Sequence, residues 1–220
     1  MNKRLITIGF LILGIALLAK SLFFFGKNIK VDEFHKAAVV FILESSASNK
    51  NKLAEEIKYI KSLCAILDPE DSVKIIKTAN SSYLIYEGNP SDATGISKAI
   101  ETYTKDNTNS TSYGEAIKKS VEYSLTMKKD GYVPAVVVVG SLENSGDYKK
   151  QINWDVLPKN IQKTKDYIPE LAMMFVYASP EKLDEVKTKL NPILGEKKLI
   201  VATEVNVDKA NRRFLDAIGR

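Results

Sequence analysis

One cysteine, one histidine and one tryptophan in 220 residues exclude several kinds of chemistry at the outset. Cys64 has no partner in the chain for a disulfide, and neither a cysteine cage nor a histidine-rich metal site can be assembled. Nucleophilic catalysis of the Ser/His/Asp kind would depend on His35 alone. The sequence also lacks a Gly-x-Ser-x-Gly elbow, a glycine-rich phosphate loop and a dinucleotide-binding fingerprint, so no enzyme is expected. Acidic residues are missing from residues 1–30, which hold Lys3, Arg4, Lys20, Lys27 and Lys30. Those five account for the whole formal charge of +5: of 32 Lys and Arg, 27 remain beyond them against 27 Asp and Glu. The body is neutral, which removes the electrostatic case for nucleic acid.

The acid-free segment contains the longest apolar run. Leu5 to Phe25 reads LITIGFLILGIALLAKSLFFF, long enough as a helix, at about 30 Å, to cross the hydrocarbon core of a bilayer. Lys20 lies near its end, where a long side chain reaches the interface while its stem stays in lipid. A cleaved signal peptide is the competing reading, with Lys3 and Arg4 as the basic region and Ala19-Lys20-Ser21 as the cleavage site. The return of apolar residues at Leu22 to Phe25 favours an uncleaved anchor. The expected organisation is a tail at 1–4, a single-pass membrane anchor at 5–25, a stalk at 26–35 and a folded domain at 36–220. Basic residues are nearly balanced across the anchor, and the short tail favours an extracytoplasmic body.

Beyond the stalk, short apolar runs alternate with helical periodicity. Strands are expected at 37–43, 73–78, 83–87, 135–139, 171–177 and 198–202. Helices are expected at 50–67, where Leu53, Ile57, Ile60, Cys64 and Leu67 share one face, and at 92–104, 113–127, 148–165, 180–190 and 208–218. Wholly apolar strands such as Ala37–Leu43 and Ala135–Val139 are suited to burial on both faces. The fold class is therefore α/β, a doubly wound and mostly parallel sheet covered by helices on both sides. In such sheets the ligand crevice lies at the carboxyl ends of the strands.

The first strand runs into Glu44-Ser45-Ser46-Ala47-Ser48, a carboxylate followed by hydroxyls two and four residues on. That oxygen set suits a hard divalent ion such as Mg²⁺ that keeps some of its water. A further hydroxyl, Thr111, stands just ahead of Gly114-Glu115-Ala116-Ile117, and the Ala135–Val139 strand ends in Gly140-Ser141-Leu142-Glu143-Asn144. With these motifs in this order, residues 36–220 resemble a von Willebrand factor A domain. That family carries Asp-x-Ser-x-Ser after its first strand, a threonine before a Gly-x-Ala-Leu/Ile helix start, and an aspartate after its central strand. Ser46, Ser48 and Thr111 match residue by residue.

The resemblance implies a metal-ion-dependent adhesion site held by Glu44, Ser46, Ser48 and Thr111, with Mg²⁺ or another divalent cation, facing a protein partner. The loops that would meet that partner carry Ser45, Ser112, Ser141 and Glu143. Two departures weaken the ion site. Glutamate replaces aspartate at position 44, and Ser141 or Leu142 occupies the place of the last acid, with Glu143 too late in the loop. Each motif also has a plain reading: the hydroxyls as helix caps, Glu44 as a solvated acid, Glu143 and Asn144 as turn residues, Cys64 as a buried small hydrophobe. The expected function is a membrane-anchored protein-binding module acting through its strand-end loops, with or without an ion. The alternative is a structural single-pass subunit of a larger membrane or envelope complex.

Overall fold

The side chains of strand β1 (Ala37–Glu44) are all buried, on both faces of the ribbon. It runs parallel to β2 (Ser72–Thr78) on one side and to β4 (Val133–Val139) on the other. With β3 (Ser82–Gly88), β5 (Ala172–Val176) and β6 (Leu199–Ala202), a computed structural model shows a six-stranded sheet in the order β3-β2-β1-β4-β5-β6. It describes residues 35–47, 49–104 and 110–220. Only the edge strand β3 is antiparallel, because it follows β2 through the tight turn at Asn80-Ser81, too short for a crossover.

The alternation of side chains along β1 sorts the helices into two layers. Ala37, Val39, Phe41 and Leu43 pack against α1 (Lys50–Cys64), α2 (Ala93–Tyr103) and α6 (Val207–Ala217). Val40 and Ile42 face the opposite layer, formed by α3 (Tyr113–Lys129), α4 (Leu157–Tyr167) and α5 (Pro180–Leu194). A strand between two helical layers must be apolar at every position, and the unbroken run in β1 reflects that constraint. Continuing the alternation, Glu44 falls on the side of α3, and the first residue of α3 is Tyr113. The buried Cys64 lies in the α1 layer, where burial pushes its thiol up to about 12, leaving it neutral and unreactive.

Two expectations change. The helix expected over 148–165 begins only at Leu157, and a single 3-10 turn at Tyr148–Lys150 precedes it. Pro158 lacks an N–H and is accommodated in a helix's first turn, while the Asn153 side chain caps a separate turn through the Asp155 N–H at 3.0 Å. The helix expected to stop at Leu190 continues past Pro192 and ends at Gly195, whose φ of 76° few other residues tolerate. β2 also buries two lysines. Lys74 pairs with Glu87 and lies 5.1 Å from the Tyr123 ring, and Lys77 donates to the Tyr103 carbonyl. The tail, the anchor bounded by Leu5 and Phe25, and the stalk up to residue 34 lie outside the described residues. Among the described residues no helix is long and apolar enough to cross a membrane.

At the amino-terminal edge of the sheet, the buried Asp71 carboxylate accepts from the Ala37 N–H at 2.7 Å, the Asp68 N–H at 3.0 Å and the Arg220 guanidinium. It joins the start of β1 to the residue before β2 and to Arg220 beyond α6. Removing one partner of a buried charge pair leaves the other poorly compensated. Asp71→Ala is expected to lower stability by about 3 kcal/mol, read as a shift in the urea unfolding midpoint at unchanged slope.

Candidate functional site

The sheet order reverses between β1 and β4, so the switch-point crevice lies where those two strands end. Leu43 pairs with Val139, which sets Glu44 beside Gly140. Glu44 is fully buried, which excludes the solvated-acid reading. Its Oε1 accepts from the Ser46 hydroxyl at 2.5 Å. Its Oε2 accepts from the Tyr113 hydroxyl at 2.7 Å and from the Ser141 backbone N–H at 2.7 Å. Three donors, one of them backbone, converge on a single carboxylate.

The neighbouring backbone is shaped to permit this. Gly140 has a φ of 146°, and a Cβ there would stand 2.2 Å from the Tyr113 hydroxyl and 2.6 Å from Glu44 Cβ. Only glycine allows β4 to pass this close. Tyr113 OH in turn accepts from the Leu142 N–H at 3.3 Å. Burial and the adjacent Glu44 hold the Tyr113 hydroxyl well above its ordinary pKa, so it remains a donor.

The other expected site residues are distributed around this knot. The Thr111 hydroxyl donates to the Glu143 carbonyl at 2.6 Å and accepts from the Ser145 N–H at 3.3 Å, so it pins the loop after β4. Ser112 is buried among Ser82 and Thr78, 2.8 and 3.2 Å from their hydroxyls. Ser45 is buried as well, its N–H on the Thr78 carbonyl. Burial removes both from any contact surface. Ser141 is half-buried and Glu143 exposed, and the Asn144 side chain serves the turn by accepting from the Ile152 N–H. Ser48 lies outside the described residues.

Sequence reasoning missed two participants. No motif signals that the Tyr113 hydroxyl reaches Glu44. Asn49 donates to both oxygens of the buried Glu56 at 2.8 and 2.7 Å, tying the loop after β1 to the body of α1. Desolvation, reinforced by the nearby Glu44 charge, pushes the Glu56 carboxyl up to about 8 despite that hydrogen bond.

The arrangement can now be compared with known structures. A von Willebrand factor type A protein from Catenulispora acidiphila superposes with a TM-score of 0.56 at 10% identity, over 84% of this chain and 43% of that one. The fold is that of a von Willebrand factor A domain. An aerotolerance-related membrane protein from Bacteroides fragilis matches at a TM-score of 0.56 and 16% identity, over 83% of this chain and 98% of that one. Manganese-loaded TRAP protein from Plasmodium vivax matches at 0.58 and 13%, over 82% and 74%. The chain spans less than half the length of the first solved structures it matches. No protein-family model matches the sequence, and the comparison with curated proteins found no match.

The manganese of the Plasmodium protein raises the question of how the residues here would meet an ion; in this geometry Glu44 and Thr111 are committed to hydrogen bonds. The Glu44 oxygens are engaged by three hydrogen-bond donors, and the Thr111 hydroxyl is committed to a carbonyl. Among the described residues no three carboxylates, imidazoles or thiols cluster as metal ligands. A tyrosine hydroxyl and a backbone N–H bring protons to the carboxylate where a cation would bring charge. The described geometry adds a further reading, a carboxylate satisfied by the protein itself.

Two outcomes test this geometry. Tyr113→Phe removes a donor to a buried carboxylate and is expected to cost about 2 kcal/mol in chemical denaturation. Glu56 ionises near 4.5 when unfolded and near 8 when folded. The folded chain therefore holds the extra proton between those values, and stability present below pH 4.5 is lost as pH rises toward 8. Its contribution falls with a slope approaching about 1.4 kcal/mol per pH unit. Glu56→Gln is expected to flatten that part of the profile in denaturation measured across the same window.

Proposed function

We propose that the chain is a membrane-anchored von Willebrand factor A-fold module that binds another protein through the loops at the carboxyl end of its sheet, without an ion completing the contact. The observation that carries this reading is the distribution of exposed apolar side chains around those loops. Tyr148 in the loop after β4 is 75% exposed, and Val205 in the turn after β6 is 97% exposed. Tyr83 at the start of β3 and Tyr103 at the end of α2 are exposed at the same end. Aromatic side chains on loops carried by a rigid scaffold are typical of recognition surfaces. Glu44 and its donors lie beneath them and contribute by holding the loops after β1 and β4 in one geometry.

Support for the anchor is the apolar run Leu5–Phe25 with its flanking cations, together with the neutral body. The fold match to a membrane protein of Bacteroides fragilis is in keeping with a membrane association.

The test is site-specific photocrosslinking of the full chain in native membranes, with a benzophenone side chain at Tyr148, Val205 or, as control, Tyr167. Tyr167 is 77% exposed at the opposite end of the sheet. Protein adducts are expected from 148 and 205 and not from 167, unchanged by EDTA, with the chain retained in the membrane fraction after carbonate washing. Equal adducts from both ends, or adducts abolished by EDTA, would contradict the proposal.

A further inference from the structure

Away from the loop face, α3 and α4 diverge enough to leave a groove of about 570 Å³ between them. It starts where Gly114 meets the 150–152 segment and runs down both helices to Thr164. Gly114 is required there, because a Cβ would stand 2.0 Å from the Gln151 carbonyl oxygen. That close approach fixes the upper wall. The floor is apolar, formed by Val121 of α3 and by Ile152, Val156, Leu157 and Ile161. Val156 is 47% exposed, although apolar groups around it are buried.

The rim is basic on both banks. Lys118 stands on α3, Lys163 on α4 and Lys149 at the loop end, all exposed, and among the described residues none makes an ion pair. Lys150 is held by the Asn80 carbonyl and the Ser81 hydroxyl. Of the two acids on the rim, Glu115 pairs with Lys119 at 2.9 Å, which leaves Glu122 against three lysines. On a body with equal numbers of acids and bases, this is a local excess of positive charge.

We infer that this groove docks an acidic amphipathic helix of a partner protein, its apolar stripe on the floor and its carboxylates against Lys118, Lys149 and Lys163. The groove runs along two helices from Gly114 to Thr164, a shape that suits a helical segment. The chain's own first thirty residues are a poor occupant, because they carry five cations and no acid. Lys149 Nζ lies 6.0 Å from the Tyr148 ring, so the groove's loop end adjoins the loop face, and Val205, which the groove does not use, separates the two proposals.

The probe is a phage-displayed library of random peptides of about 16 residues, roughly four helical turns, selected on the full chain in mild detergent. Enriched peptides are expected to carry Asp or Glu beside apolar residues at three- and four-residue spacing. Their affinity, read by fluorescence anisotropy, is expected to fall at least tenfold in Lys118→Glu/Lys163→Glu and in Val156→Asp. It should fall similarly for the wild type between about 50 and 500 mM salt, an arm that needs no variant. Photocrosslinking from Val205 should be untouched by the groove substitutions. Enrichment of neutral or basic peptides, no enrichment over the unselected library, or indifference to both the charge reversal and salt would overturn the inference.

Discussion

A carboxylate carried into the interior at the end of a strand must find donors or a cation, because an unpaired buried charge costs several kcal/mol. Glu44 finds donors. Through its two oxygens it connects the end of β1, the first residue of α3 and the backbone after β4, the three segments that define the switch point of the sheet. Gly140 lets β4 come close enough, Tyr113 supplies a hydroxyl too buried to ionise, and Thr111 fastens the same loop a few residues on. The geometry of the loop face follows from this set of contacts.

That arrangement separates rigidity from recognition. The Glu44 carboxylate and its donors are directed inward, and Tyr148 and Val205 stand exposed on the outward surface beside polar residues such as Glu143 and Asn144. A domain of this fold that used an ion for contact would need an accessible, incompletely coordinated oxygen set at the same place. Here Glu44, Ser46 and Thr111 are internal ties, and Tyr148 and Val205 are among the side chains exposed above them. The basic groove between α3 and α4 adds a second face with a different chemistry, suited to an acidic partner segment.

Much of this was legible in the sequence because burial on both faces leaves a strong imprint. The runs AAVVFIL and AVVVV marked the two central strands, and the strand–helix alternation indicated a doubly wound sheet. The position of Glu44, Ser46 and Thr111 at strand ends and helix starts was also readable. Their partners were not. Motif spacing places Tyr113 at a helix start but says nothing about which way its hydroxyl points, and the burial of Ser45 and Ser112 depends on Thr78 and Ser82, more than thirty residues away. The helix expected over 148–165 starts late because Asn153 caps a separate turn and Pro158 suits a helix's first turn, so the segment divides there. The groove could not be read at all, since Lys118 and Lys163 come together only when α3 and α4 pack.

The central claim, that Glu44 is satisfied by protein donors and not by an ion, is tested most directly by titrating Mn²⁺ into the labelled full chain and following backbone amide resonances. Amides of Ser46, Tyr113 and Ser141 are predicted to keep their linewidths at millimolar Mn²⁺. Selective, saturable broadening of those three, reversed by EDTA and weakened by Ser46→Ala, would contradict the account.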